Sequence, residues 1–240
     1  MIGAIVRQLR PKQWSKNLIL FAGLIFAEQL RDPDLFVRAV LGFVCFAFVS
    51  SAVYCFNDLV DLENDKRHPE KRLRPLPSGA IGPRGVFGLG LLLMAVGIVG
   101  SFRLAPNFGL VVVVYFLQNL AYSLKLKQVP VLDIILLSSG FVLRAVGSVE
   151  VLARSDVQLS PWLILCTFFL ALFISAGKRR AELALLAEDA ETHRVALSGY
   201  SLAFLDRILS SSMTSAVLAY AIYTLAPTTQ EKFGTTALVY

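Results

Sequence analysis

Histidine and cysteine are rare in this chain, and charge is scarce. The two histidines, His68 and His193, and the three cysteines, Cys45, Cys55 and Cys166, are scattered singly. Zinc needs Cys or His ligands at short spacings and a disulfide framework needs paired cysteines, so neither has support. The cysteines lie within or beside apolar runs and read as packing residues. Only 17% of the 240 residues are charged against 56% hydrophobic, and the mean hydropathy is +0.65, which excludes an ordinary soluble domain. No low-complexity tract or strong short repeat is visible. The net charge of +6 does not point to nucleic acid, because no nucleic-acid-binding module surrounds the basic residues. The basic N-terminus leads to Pro11 and Trp14 with no small-residue cleavage site, so the first apolar run reads as retained rather than as a signal peptide.

What the chain has instead is a series of apolar runs near the length that crosses about 30 Å of hydrocarbon, around residues 17–30, 35–56, 85–102, 104–122, 131–150, 160–177 and 209–226. The expectation is an all-α transmembrane bundle in a single membrane domain over 1–240, with seven spans, the first short. Polar connections fall near 57–84, 123–130 and 178–207. Arg31, Arg38, Arg103, Arg154 and Lys232 fall on one side and Arg144 within the fifth run, while the rest of the 23 Lys and Arg collect on the other side. By the positive-inside rule that second side, with the N-terminus, faces the cytoplasm. Trp14 reads as a headgroup-level anchor. Glycines at 85, 88 and 90 and from 140 to 147 favour close helix packing. After Gly234 the chain turns apolar again through Leu238 to Tyr240, which resembles the start of an eighth span.

The most informative stretch is Asn57-Asp58-Leu59-Val60-Asp61-Leu62-Glu63-Asn64-Asp65. On a continuous helix Asp58, Asp61 and Asp65 fall within an arc of roughly 60°. Stacked like charges destabilise a helix, so the stripe points to a hard cation such as Mg²⁺ among oxygen ligands. A solvated acidic helix end is the plainer reading. Against it stands the continuation Lys66-Arg67-His68-Pro69-Glu70-Lys71-Arg72-Leu73-Arg74: acids that chelate a metal beside guanidinium groups suit a metal-bound diphosphate. His68 reads as a phosphate or hydroxyl contact, and neither histidine has metal-ligand spacing. Tyr122, Ser123 and Lys127 form a smaller polar group, in which Tyr122 by itself reads as an aromatic-belt residue. Asp133 and Arg144 share a helix face but lie roughly 16 Å apart along the axis, so they cannot pair. Ionisable groups inside spans are functional candidates, Asp133 ahead of Arg144, which could equally anchor a neighbouring helix.

Asn57, Asp58, Asp61 and Asp65 have the form N-D-x-x-D-x-x-x-D, and the chain here resembles the UbiA superfamily of membrane prenyltransferases. Pro11 to Asn17, His68 to Gly79, Tyr122-Ser123 with Lys127, Asp133, Gly140 to Arg144 and Gly177 to Leu183 are similar to its polyprenyl-phosphate phosphoribosyltransferase branch. The likeness covers nearly the whole chain, whose C-terminus looks shorter than the family. It implies transfer of a 5-phosphoribosyl group from phosphoribosyl diphosphate to a polyprenyl phosphate, such as decaprenyl phosphate, with Mg²⁺ as cofactor, in a bacterial plasma membrane. It also implies Asp58, Asp61 and Asp65 as metal ligands. Asn57, Lys66, Arg67, Lys71 and Arg72 are then donor candidates, Lys16, Lys127, Lys178, Arg179 and Arg180 are phosphate contacts undivided between donor and acceptor, and Asn17, His68, Arg74, Tyr122 and Asp133 are further substrate contacts. Glu182 would orient cations or bind ribose hydroxyls.

Aromatic prenyltransferases of the superfamily carry a second aspartate-rich motif where this chain has Lys178-Arg179-Arg180-Ala181-Glu182. Cations in place of acids suit a metal-free phosphate. Two other readings stay open: a prenyltransferase moving a prenyl group from a prenyl diphosphate to an aromatic acceptor, and a noncatalytic transporter or lipid-binding membrane protein. A homo-oligomer is left open.

Overall fold

The computed structural model describes residues 2–153, 160–185 and 199–235, so Arg154, His193 and the apolar close of the chain lie outside the described residues. Among those described, every regular element is helical. The helices are α1 (Ile2–Leu9), α2 (Ala22–Phe26), α3 (Pro33–Val60), α4 (Leu62–Arg67), α5 (Pro83–Leu104), α6 (Pro106–Leu124), α7 (Leu132–Glu150), α8 (Pro161–Leu185), α9 (Leu202–Leu225) and α10 (Pro227–Phe233). The long ones start where local chemistry dictates. Pro33, Pro83, Pro106 and Pro161 occupy first helical positions, where proline's missing N–H costs nothing and its fixed φ is already helical. Asp32 caps α3 by accepting from the Asp34 and Leu35 amides at 3.0 and 3.1 Å, and Ser201 caps α9 by accepting from Phe204 at 3.1 Å.

Six of these helices, α3 and α5 to α9, are long and apolar enough to cross a membrane. Their outer faces carry exposed Leu92, Val99, Leu117, Ile174 and Leu218, which water would penalise and lipid accepts. The expected first span, 17–30, is not one α-helix. It arrives as a 3-10 helix, Pro11–Phe21, followed by the short α2, because the polar Pro11 to Asn17 stretch binds to α3 rather than running through lipid. Trp14 Nε1 donates to Ser51 Oγ at 3.0 Å, Ser51 Oγ reaches the Leu9 carbonyl at 2.8 Å, and Asn17 donates to Ser50 at 3.3 Å. Trp14 is therefore tied to a helix, beyond the headgroup role expected of it. At about 2.0 Å per 3-10 residue and 1.5 Å per α residue, Pro11 to Phe26 extends about 30 Å, comparable with a hydrocarbon core.

The described residues fall into two compact units, those within Met1–Leu124 and Leu143–Val157 and those within Lys125–Val142 and Gln158–Tyr240. In the first, α3 packs on α5, α6 and the 3-10 segment, around Leu20, Leu24, Phe46, Phe108 and Val112. Lipid tails are as apolar as these side chains, so this packing is stabilised by dispersion and close backbone approach rather than by escape from water. Gly97 lies against α3, where an added Cβ would stand 2.6 Å from Val49 Cγ2, and Gly23 lies against the Ser148 carbonyl, 2.0 Å from such a Cβ. Of the glycines expected to pack, Gly90 meets Cys55 and Phe56 while Gly88 meets nothing. Arg38 reaches the Val151 and Leu104 carbonyls, answering acceptors that helix ends leave open. In the second unit α8 packs along α9, and Ile134, Ala176, Tyr200 and Leu205 form one buried cluster.

Candidate active site

In the first unit α3 runs to Val60 and breaks at Asp61 (φ −93, ψ 7) before α4 begins. The i→i−4 bonding survives the break, with Asp61 N donating to Asn57 O at 2.9 Å and Asp65 N to Asp61 O at 2.8 Å. Asp58 and Asp65 are both buried, at 1% and 3% exposure. Asp58 accepts from Gln8 Nε2 at 2.8 Å and from Arg10 at 2.5 Å. Asp65 accepts from Arg74 at 2.8 Å, with Lys71 Nζ 3.6 Å away. The Arg74 guanidinium also stands 3.5 Å from Asp58, so one cation is shared between two carboxylates. Arg10 lies over the Tyr54 ring at 4.7 Å and has left-handed backbone (φ +53), a conformation that costs a non-glycine residue energy and that the surrounding contacts must hold.

The expected carboxylate trio does not close into one group. Among the described residues no three of His, Cys, Asp and Glu stand together to hold a metal, and Asp61 sits half-buried at the helix break. Asp58 and Asp65 nonetheless offer hard oxygens beside a cation, and Gln8 Oε1 is a buried acceptor with no donor among the described residues. Mg²⁺ is commonly held by one or two carboxylates, with waters and substrate phosphates completing its shell, so the donor set fits a metal that arrives with a diphosphate.

Around this centre the predicted cations divide. Arg74 and Lys71 face the acids, whereas Arg67 and Arg72 are exposed. Lys66 is exposed and bonded to Glu63 at 2.7 Å, a contact that holds the Glu63 carboxyl below its ordinary range. His68 Nδ1 accepts from the Glu70 and Lys71 amides at 3.2 and 3.3 Å, so the histidine shapes the turn that carries Lys71. Lys16 and Tyr122 are half-buried. Asn17 belongs to a different cluster. Arg144, 6% exposed, donates to Asn17 Oδ1 and Tyr115 Oη at 2.8 Å each, and stacks over the Tyr115 and Phe46 rings at 4.7 and 5.4 Å. Arg144 thus anchors the 3-10 segment and α6 to α7.

The second unit holds its own polar centre. Asp133, fully buried, accepts from Arg179 Nε at 2.7 Å and from Tyr200 Oη at 2.5 Å. Arg179 Nη1 donates to Glu182 Oε2 at 2.9 Å, and exposed Arg180 pairs with Asp206. Lys178 is exposed and Lys127, on the 3-10 turn Leu126–Gln128, is half-buried. Burial and the bond to Asp133 push the Tyr200 phenol above the usual tyrosine range.

Sequence reasoning missed Gln8, Arg10, Tyr115 and Tyr200. Gln8 had a local signal, since with Ala4 it forms the buried i, i+4 pair of amphipathic α1. Tyr200 had none, because its partners lie 67 and 69 residues away in sequence.

The chain matches the UbiA prenyltransferase family model over residues 17–237. It is 34% identical over 228 residues to a protein of Mycolicibacterium smegmatis named decaprenyl-phosphate phosphoribosyltransferase, covering 93% of this chain and 70% of that one. A Mycobacterium tuberculosis protein of the same name is 33% identical, with 93% and 74% covered. A solved UbiA homologue from Archaeoglobus fulgidus, bound to GPP and Mg²⁺, superposes with a TM-score of 0.73 at 19% identity over 98% of this chain and 84% of its own. A break at Asp61 that presents two buried acids to Arg74, on an all-helical membrane frame, is thus found in a chain that belongs to the UbiA prenyltransferase family.

Proposed function

We propose that this chain transfers the 5-phosphoribosyl group of phosphoribosyl diphosphate to a polyprenyl phosphate, decaprenyl phosphate among them, on the cytoplasmic face of a bacterial plasma membrane. The observation that carries the reading is the likeness to two named phosphoribosyltransferases across 93% of the chain. The two polar centres support it: one pairs acids with cations, and in the other the carboxylates of Asp133, Glu182 and Asp206 are each held by a guanidinium. An acidic second site would favour a prenyl diphosphate. Carboxylates already paired with guanidinium groups do not offer a second metal clamp, and exposed Lys178 beside them suits a monophosphate lipid.

In the reaction a phosphate oxygen of the lipid forms a bond to the anomeric carbon while the bond from that carbon to pyrophosphate breaks, and pyrophosphate leaves with the electron pair. Asp58 and Asp65, with Asp61 at the break, would hold Mg²⁺, which when bound neutralises the leaving diphosphate. Arg74 and Lys71 bind the diphosphate oxygens from the solvent-facing side, and Arg74 can do so bidentately. Gln8 and Arg10 fix the Asp58 carboxylate. The acceptor phosphate is already ionised near neutral pH, so stabilisation of the leaving group matters more than a strong base. Basic loops that alternate to one side of the spans support the cytoplasmic orientation.

Purified protein in lipid, given labelled phosphoribosyl diphosphate and polyprenyl phosphate, should make labelled lipid and pyrophosphate, lose both with a chelator and regain them with Mg²⁺. Turnover of a prenyl diphosphate onto an aromatic acceptor, without labelled lipid, would overturn the reading.

A further inference from the structure

Val131 has left-handed backbone (φ +68), a conformation in which a β-branched side chain is a genuine outlier. Such strain persists only where the surroundings hold it. Here the Val131 amide donates to Tyr200 Oη at 2.6 Å, and the same hydroxyl gives its proton to Asp133. The contact is flush: a Cβ added at Gly199 would stand 2.2 Å from Pro130 Cγ. Gly199 and Tyr200 therefore sit directly on the Pro130–Val131 turn. Just before that turn the 3-10 segment Leu126–Gln128 carries Lys127. Just after it Asp133 holds Arg179, whose neighbours Lys178 and Arg180 are exposed at the same end of α8. The phenol hydroxyl thus ties the Val131 turn to the Asp133 carboxylate, and the Asp133–Arg179 pair in turn ties that turn to the cation-bearing end of α8.

We propose that Tyr200 is a positioning residue for the acceptor phosphate: it clasps the strained Val131 turn to Asp133 and so sets Lys127 in register with Lys178 and Arg180. This rests on the reading that those cations take the lipid phosphate while Asp58, Asp65, Lys71 and Arg74 take the donor diphosphate. A metal-free phosphate has no ion to organise it, so the spacing of its cations must be built into the protein. Phenylalanine at 200 keeps the ring and removes the clasp. It leaves the Val131 amide without its partner in a left-handed conformation.

The test is Tyr200→Phe in protein reconstituted in lipid, read by amide exchange over residues 126–133 and by steady-state kinetics. Exchange there should quicken at least ~10-fold. The KM for polyprenyl phosphate should rise about 5- to 20-fold, with kcat and the KM for phosphoribosyl diphosphate within about 2-fold. Glycine adopts φ above zero without strain, so adding Val131→Gly to Tyr200→Phe should return the lipid KM to within about 3-fold of wild type. If Tyr200→Phe does not fold, Gly199→Ala, which drives a methyl into Pro130, should give the same KM split. Unchanged exchange overturns the proposal, as does a loss shared equally by both substrates or confined to kcat. If the wild type makes no ribosylated lipid, the functional reading falls while this one is still decided. Polyprenyl phosphate in vesicles should slow exchange over residues 126–133 in wild type but not in Tyr200→Phe, and no slowing in wild type overturns it.

Discussion

Asp58 and Asp65 look equivalent in the sequence, and their surroundings make them unequal. Asp58 is held by Gln8 and by Arg10, whose side chain is 20% exposed, whereas the partners of Asp65 are 31% and 43% exposed. Removing one member of a buried pair strands the other charge at about 3–5 kcal/mol, while cations that can rehydrate cost about 1 kcal/mol or less. Asp58→Asn should therefore lower the thermal midpoint clearly more than Asp65→Asn, while both cut turnover at least ~100-fold; equal midpoints would contradict the ranking. Tyr200 carries a second expectation, in pH. Its phenol faces Asp133 and, beyond it, Arg179, and burial followed by the Asp133 bond holds its proton above the ordinary range. Below about pH 10 folded and unfolded chains both keep that proton and the contribution is complete; above it the unfolded chain releases a proton that the folded chain retains, so stability falls as pH rises. From about pH 9 to about pH 11 the midpoint of wild type should drop more steeply than that of Tyr200→Phe. The aspartates were legible from their spacing. Tyr200 was not, because a hydrogen bond across 67 residues leaves no local pattern, and the amphipathic face of α1 marks Gln8 as buried without naming its partner 50 residues away.

Helix starts were legible wherever proline follows a turn, since φ restriction and the missing N–H act through nearest neighbours. The Pro11–Phe21 segment was not. Its apolar second half reads as a span, but Trp14, Asn17 and the Ser50-Ser51 pair hold its first half to α3, and long-range hydrogen bonds chose a 3-10 path that propensity disfavours. Glycines show the same division. Nothing in the sequence separates Gly88 from Gly97, yet a methyl at Gly97 would meet Val49 at 2.6 Å and the Cys45 carbonyl at 2.9 Å, while Gly88 has open space. Gly97→Ala should destabilise by about 1–3 kcal/mol through overpacking. Gly88→Ala should be neutral or stabilise by up to about 1 kcal/mol, because the helix gains propensity and meets no clash. Midpoints of the two variants in one detergent check the pair, and a Gly97→Ala protein as stable as wild type would deny the close approach of α5 to α3.

For the molecule as a whole, the proposed orientation makes Ser78, exposed on the 57–84 connection, a cytoplasmic position. A Ser78→Cys protein should react with a membrane-impermeant thiol reagent only after cells are opened. Labelling of intact cells would reverse the assignment. The native cysteines lie inside α3 and α8, so each labelling reaction is read against the parent chain. Hydropathy determined by itself that the chain is an all-helical membrane protein, because each span must satisfy its own backbone hydrogen bonds in lipid and so writes its length into the sequence. The acidic motif and the basic run beside it were likewise present in order, as spacing along one segment. Only the tertiary structure decided that Arg74 is shared by Asp58 and Asp65, that Arg179 is spent on Asp133, and that Gln8, Arg10 and Tyr200 hold those acids. Charge pairing depends on which helix ends meet in space, and composition along the chain carries no record of that meeting.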